Sequence, residues 1–336
     1  MSILEAQADF GINLLRTNPY VSSQSIIISP ISISIALAMC FAGAKNKTAE
    51  QISKTIARDA TNNEMIEYFS GIMEDIRQTN RSYELYAANK IYVNKNYPIL
   101  DSYKEALVRK FHGQFQNVNF SNPEVAANEI NIFIEKATKG KIDEIISHDS
   151  INAQTRMMIT NAIYFKGTWQ YKFDTDMTAE KKFFVKENEV KMVPTMWMKT
   201  KLPYYENHKV QVLGLPYKDN DAFLYVLLPR EQFGLKRLLR NMNGHKLNSY
   251  INYTGKANNI TAIDIELPRF KVETSLSLTN ALLKVGIKDA FSRSNADFSG
   301  ITGDRSLYID EVLHKAFIEC LGLPVLFTLT IHFFMP

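Results

Sequence analysis

The residue pattern predicts an α+β protein built as one domain, and three observations carry that prediction. Apolar residues at helical spacing crowd the chain up to Gly140. Alternating or continuous apolar runs of strand length dominate from Arg156 onward. No internal repeat, low-complexity segment or linker rich in Pro, Gly or Ser divides the 336 residues. Helices collected early and strands late in one undivided chain are the mark of the mixed class.

Taken in order, ILEAQADFGINLL places Ile3, Ala6, Phe10 and Leu14 on one face and predicts an opening helix. SIIIS reads as a short buried strand. In SPISISIALAMCFAGA, Ser29 caps a helix whose first residue is Pro30, because the missing N–H of proline costs nothing there, and Gly43 ends it. TAEQ has the form of a capping box, with Thr48 as cap and Gln51 reaching back. NEMIEYFSGIMEDI is amphipathic through Met65, Phe69, Ile72, Met73 and Ile76, and YELYAANKIYV predicts a long strand. LDSYKEALVRKF and PEVAANEINIFIEKATKG predict two further helices, the second ending near Gly140. RMMITNAIYF, VQVLGLPY, AFLYVLLP and TAIDIELPRFKVE read as strands. The turn residues in YKDNDA mark a hairpin. LTNALLKVG is a late helix and LYIDEVLHKAFIEC a last long strand.

Composition narrows the function. The chain is 46% apolar and 22% charged, with a net charge of +4 and no block of one sign, so nothing selects for nucleic acid. Cys40 and Cys320 do not make a disulfide framework and suit buried thiols in a reducing compartment. The N-terminus shows no charged region followed by an apolar run and a cleavage site, so the expected location is the cytoplasm, with an extracellular one as alternative. Five Asn-x-Ser/Thr sequons, at Asn46, Asn80, Asn119, Asn252 and Asn259, matter only on a secretory route. The helix LKRLLRNMNGHK carries Lys236, Arg237, Arg240 and Lys246. Four spread cations suit a solvated face better than a polyanion site. No G-x-S-x-G, G-x-x-x-x-G-K, G-x-G-x-x-G or H-E-x-x-H is present, and no cofactor is expected. The histidines at 112, 148, 208, 245, 314 and 332 include no pair at metal-ligand spacing. A hydrolase whose triad is assembled from distant segments stays open as a formal alternative.

Six segments, SPISISIALAMCFAGAKNKTAEQI, TKGKIDEII, TNAIYFKGTW, LPRFKVE, ADFSGI and LYIDEVLHKAFIE, resemble those of the serpins, the suicide inhibitors of serine and cysteine proteases, and they occur in the family's order. The resemblance implies one domain over residues 1–320, with three β-sheets and eight or nine helices. It implies a mechanism in which an exposed loop is cut, traps the protease as an acyl-enzyme and inserts as a new strand into the main sheet. It also implies site residues. Ser29, Pro30, Ser32, Asn161 and His314 match positions that meet in the shutter beneath the centre of that sheet, and Trp169 matches the tryptophan of the breach, where the loop first enters.

After Cys320 the resemblance stops. The family continues with a short acidic stretch, a hinge of small residues and the reactive loop. LGLPVLFTLTIHFFMP, residues 321–336, has none of these, and Pro324 stands where a ladder N–H would be needed. No reactive bond can be named. The expectation is therefore a serpin-like domain, C-terminally truncated, followed by a non-family apolar tail, unable to inhibit a protease as it stands. An apolar groove would open where the family's final strands lie. The tail is too short and too broken by proline to cross a membrane and is easiest to place on the nearer main sheet. The alternative is an interfering binder that takes another serpin's reactive loop into its main sheet, through serpin–serpin association.

Overall fold

The computed structural model describes residues 2–21, 24–77, 83–112, 114–220, 222–256, 259–320 and 325–327. In chain order the elements are α1 (Ile3–Thr17), α2 (Pro30–Phe41), α3 (Asn46–Ile56), α4 (Asn62–Arg77), β1 (Tyr83–Asn94), α5 (Asp101–Phe111), β2 (Gln114–Val118) and α6 (Pro123–Ala137). Then come β3 (Met157–Gly167), β4 (Ala179–Lys186), β5 (Glu189–Glu206), β6 (Val210–Pro216), β7 (Phe223–Pro229), α7 (Leu235–Asn241) and α8 (Gly244–Thr254). The last are β8 (Ile260–Pro268), β9 (Phe270–Ser277), α9 (Thr279–Val285), α10 (Ser299–Thr302), β10 (Glu311–Cys320) and β11 (Val325–Phe327). The described residues thus hold ten α-helical segments rather than eight or nine, the tenth a four-residue piece.

The main sheet runs β2–β1–β3–β10–β9, with β11 added to β3. The other strands share β5, which is 18 residues long. Its residues Thr195–Pro203 pair with β8, its earlier part pairs with β4, and Tyr204–Glu206 pair with β6, which carries β7. One strand therefore serves two three-stranded sets, and with the main sheet these make the three expected sheets. Among the described residues β7 has β6 as its sole neighbour, and Leu228 on it is 57% exposed.

Helices cover both faces of the main sheet. The segment ISISIALAMCF is apolar nearly all round, as a central helix must be, and every residue from Ser32 to Phe41 is buried. The opposite face carries α6, whose Ile130 and Ile134 pack on Ala88, Tyr92, Met158 and Ala162. The residues after α6 strap across toward β10. Asn131 Nδ2 donates to the Ile146 carbonyl (2.9 Å), and its Oδ1 accepts from the N–H groups of Ile145 (2.9 Å) and Ile146 (3.2 Å). Lys315 Nζ on β10 donates to the Glu144 carbonyl (2.8 Å) and pairs with Glu273 Oε1 (2.9 Å).

Several local expectations are corrected by tertiary contacts. Ser29 stands at the N-cap of α2, but its side chain makes no cap bond. Gly43 does not supply a left-handed stop: α2 ends at Phe41, and Gly43 is required because a Cβ there would overlap Ile301 and lie 2.9 Å from the Tyr103 ring. The capping box does not form. α3 starts at Asn46, so Thr48 lies inside it, and its Oγ1 accepts from the Asp297 N–H (3.0 Å). Gln51 Oε1 accepts from the N–H groups of Lys288 and Asp289 (both 2.8 Å). SIIIS joins no sheet among the described residues. Its Ile27 N–H donates to a side chain, Thr274 Oγ1 (3.1 Å), in place of a ladder carbonyl. TAIDIELPRFKVE breaks at Arg269 into β8 and β9, which belong to different sheets. LKRLLRNMNGHK likewise splits into α7 and the start of α8, where Asn243 Oδ1 caps the Lys246 N–H (2.9 Å). Cys40 is buried, as expected, and burial pushes its thiol up to about 12, away from the reactive thiolate form. The side chain of Cys320 and most of the tail, 321–324 and 328–336, lie outside the described residues.

Candidate functional site: a polar row across the main sheet

The backbone register puts three polar residues in one line across three neighbouring strands. Asn161 on β3 stands opposite Asn89 on β1 and opposite His314 on β10. All three point toward the start of α2, which brings in Ser29, Pro30 and Ser32. Ser29, Ser32, Asn161 and His314 are fully buried and Asn89 is 6% exposed.

Polar groups so deep must find partners, and most do. Ser32 Oγ donates to Asn161 Oδ1 (2.8 Å) and also lies 3.2 Å from the Ser29 carbonyl. The hydroxyl has one proton, and the shorter contact takes it. Asn161 Nδ2 donates to Asn89 Oδ1. The Ser29 N–H donates to His314 Nε2 (3.2 Å), so that nitrogen carries no proton. Nδ1 therefore does, and it donates to Asn161 Oδ1 (2.7 Å). Burial pushes the His314 pKa down to about 4, against an opposing pull from its bond to Asn161, so the ring is neutral near pH 7.

The roles are not the ones the residue types alone suggest. Ser29 contributes its backbone, while its buried Oγ has no partner among the described residues. Pro30 sets the first turn of α2 and packs against α1, where a Cβ on Gly11 would sit 2.7 Å from its Cγ. Asn89 belongs to none of the segments that point to the site in the sequence. Its signal is nonetheless there: a polar residue at an inward position of YELYAANKIYV, between Leu85 and Ile91, which are buried.

Trp169 lies apart, two residues beyond the end of β3 and about 25 Å along the chain from Asn161 at strand rise. Its indole stacks on Tyr217 (4.5 Å between centroids, 10° between planes), to which its backbone is also bridged. Tyr217 meets Phe165 edge-on at 5.1 Å, and Phe165 meets Tyr83 at 5.1 Å. A Cβ on Gly167 would lie 2.6 Å from the Tyr217 ring, so the close stack depends on that glycine. The structure thus gathers Ser29, Pro30, Ser32, Asn161 and His314 at one place and sets Trp169 in an aromatic stack at the far end of the same strand.

Comparison with known proteins bears on what this arrangement belongs to. A sequence model of the family described as "Serpin (serine protease inhibitor)" matches residues 5–321. Leukocyte elastase inhibitor of Equus caballus is 34% identical over 324 residues, covering 94% of this chain and 84% of its own. Serpin B3 of Homo sapiens is 34% identical over 336 residues, covering 95% of this chain and 85% of its own. The crystal structure of uncleaved ovalbumin superposes with a TM-score of 0.88 at 31% identity, over 96% of this chain and 87% of that one. With fold, family model and relatives in agreement along nearly the whole chain, the protein belongs to the serpin family.

Proposed function

We propose that this serpin-family protein, with the C-terminal sequence it carries, does not trap a protease, and that its polar row is a shutter. One observation carries the first part: the residues that follow β10. Where a reactive loop needs a small-residue hinge able to become a buried strand, this chain continues LGLPVLF, with large apolar side chains and a proline. In this reading residues 1–320 are the serpin domain and 321–336 lie outside the family pattern. The relatives named as elastase inhibitors supply the partner class to test. Incubation with a leukocyte elastase should yield cleavage fragments or intact chain. A covalent complex that survives denaturing electrophoresis would falsify the reading.

The shutter assignment rests on the row's chemistry. Hydrogen bonds between Asn89, Asn161 and His314 tie three strands together, and such bonds can be exchanged when strands part, whereas interlocked apolar side chains resist separation. Trp169 and its stack, at the end of the sheet where β3 and β10 stand apart, take the role of the breach. The arrangement does not support hydrolysis: Ser32 donates to an amide rather than to the imidazole, and His314 Nε2 is occupied by a backbone N–H. A cytoplasmic location accords with two cysteines that form no disulfide framework. Among the described residues no helix is long and apolar enough to cross a membrane.

A second reading, strand acceptance, is favoured by a specific observation. β3 and β10 are paired only from Met158/Glu311 to Ala162/Lys315, although both strands continue beyond. The separated edges, of which β11 covers Phe165–Gly167 of β3, are a template for an added strand, such as another serpin's loop. A loop-derived peptide should then raise the melting temperature. An unchanged transition at saturating peptide counts against acceptance.

A further inference from the structure

The last turn of α1, residues 26–28, the end of β9 and α9 meet around a cleft of about 320 Å³ that belongs neither to the polar row nor to the aromatic stack. Its floor is the core itself: Leu14, Ile28 and Leu278 are at most 3% exposed. Its walls are Leu15, Ile26, Leu276 and Ala281, which pack on that core and keep part of their surface open. Among the described residues lining the cleft, Lys284 is the one charged group. α9 puts Asn280, Ala281 and Lys284 on one face, three and four residues apart. The Lys284 ammonium is exposed and has no ion pair or hydrogen bond among the described residues, and neither has the Asn280 side-chain amide. Acceptors beside the cleft are engaged. Thr17 Oγ1 donates to the Leu14 carbonyl (2.7 Å) and the Asn18 N–H to the Leu15 carbonyl (3.2 Å). Glu311 Oε1 accepts from Ser277 Oγ (2.5 Å) and Thr279 Oγ1 (3.1 Å).

We propose that this cleft binds a single-chain amphipathic carboxylate, a medium-length fatty acid, with the carboxylate on Lys284 and Asn280 and the alkyl chain along Leu15, Ile26 and Leu276. An apolar cavity with a few polar groups gathered on one side has the form of a small-molecule site, whose usual volume is about 300–1,000 Å³. One free cation, with no carboxylate lining the same cleft, selects a ligand of one negative charge. A second negative charge would face apolar walls uncompensated. A cationic head finds the carbonyls of Leu14 and Leu15 already taken. The walls favour a long chain, since each methylene removed from water tightens binding about fourfold. A volume near the lower end of the range suits one alkyl chain, so the ligand is the free acid and not a membrane lipid. The site depends on neither the shutter nor the strand-acceptor reading.

Titration calorimetry on the full chain, below the concentrations at which the probes form micelles, tests this. Octanoate and decanoate should both saturate a single site, and decanoate should bind roughly fifteenfold more tightly, the effect of two methylenes. Decanol should bind about fivefold or more weakly than decanoate, and decylammonium more weakly still. Lys284→Glu changes an exposed side chain outside the polar row, so it should keep the melting temperature of the unsubstituted protein while losing about tenfold or more in decanoate affinity. Lys284→Arg keeps the charge and should keep the binding. Absence of saturable decanoate binding overturns the proposal. So does equal binding of the acid and the alcohol, or undiminished binding by Lys284→Glu, since either would mark adsorption of the alkyl chain elsewhere on the surface.

Discussion

His314 is neutral because it is buried, and that makes the fold sensitive to acid. Its pKa is about 4 in the folded protein against about 6.5 when exposed. Between those values the unfolded chain binds a proton that the folded chain refuses. The contribution is therefore complete above about pH 6.5 and is lost as the pH falls toward 4, on the order of 3 kcal/mol. Urea midpoints between pH 7 and pH 4.5 should show this loss, and a His314→Gln variant should show a flatter profile. An unchanged profile would assign the acid sensitivity to other groups. The serines should separate. Ser32→Ala removes a buried bond to Asn161 and should cost about 1–2 kcal/mol, whereas Ser29→Ala removes a hydroxyl without a partner and should be neutral or slightly stabilising. Equal losses at the two positions, read as melting temperatures, would contradict the row as described.

At the scale of elements, the strap after α6 is held by few groups that can be tested singly. Asn131→Ala loses three bonds to residues 145 and 146 and should destabilise the protein by about 1–3 kcal/mol. Faster amide exchange confined to residues 142–146 is the signature to look for, and an effect spread evenly over the main sheet would argue against a separate strap. Most elements are legible in the sequence because their periodicity is strong: the helices with an apolar face and the strands that alternate fall within a few residues of their expected places. The signals that mislead have distant causes. Thr48 and Gln51 look like a cap until the chain returns at Asp297 and Lys288 to claim them. Gly43 looks like a helix stop, yet its reason is Ile301, and the break at Arg269 depends on which sheet each half joins. The site follows the same rule. Ser29, Ser32, Asn161 and His314 are found through family motifs, but the line they form with Asn89 exists only in the register of three strands.

For the whole molecule the decisive property is a shared core. One apolar cluster joins Ile33 and Ile35 of α2 and Ile163 of the main sheet to Met196, Leu202, Leu215 and Ile265 of the other strands. Sheets that share a core cannot melt separately without exposing it. Trp169 at the end of the main sheet and Trp197 on β5 report the two regions. Single-tryptophan variants, Trp169→Phe and Trp197→Phe, should give coincident unfolding curves. Two transitions at different denaturant concentrations would mean that the strand sets are independent.

The place of β10 between β3 and β9 also has a consequence in time. Asn161 and His314, neighbours in the finished sheet, are 153 positions apart in the chain. At the usual speed of synthesis, 5–20 residues per second, about 8–30 s pass between the making of one and the other. Throughout that interval β3 lacks β10, and its edge is open to any extended segment nearby. The nascent chain is thus vulnerable to wrong pairing throughout the interval in which β3 has been made and its neighbour β10 has not.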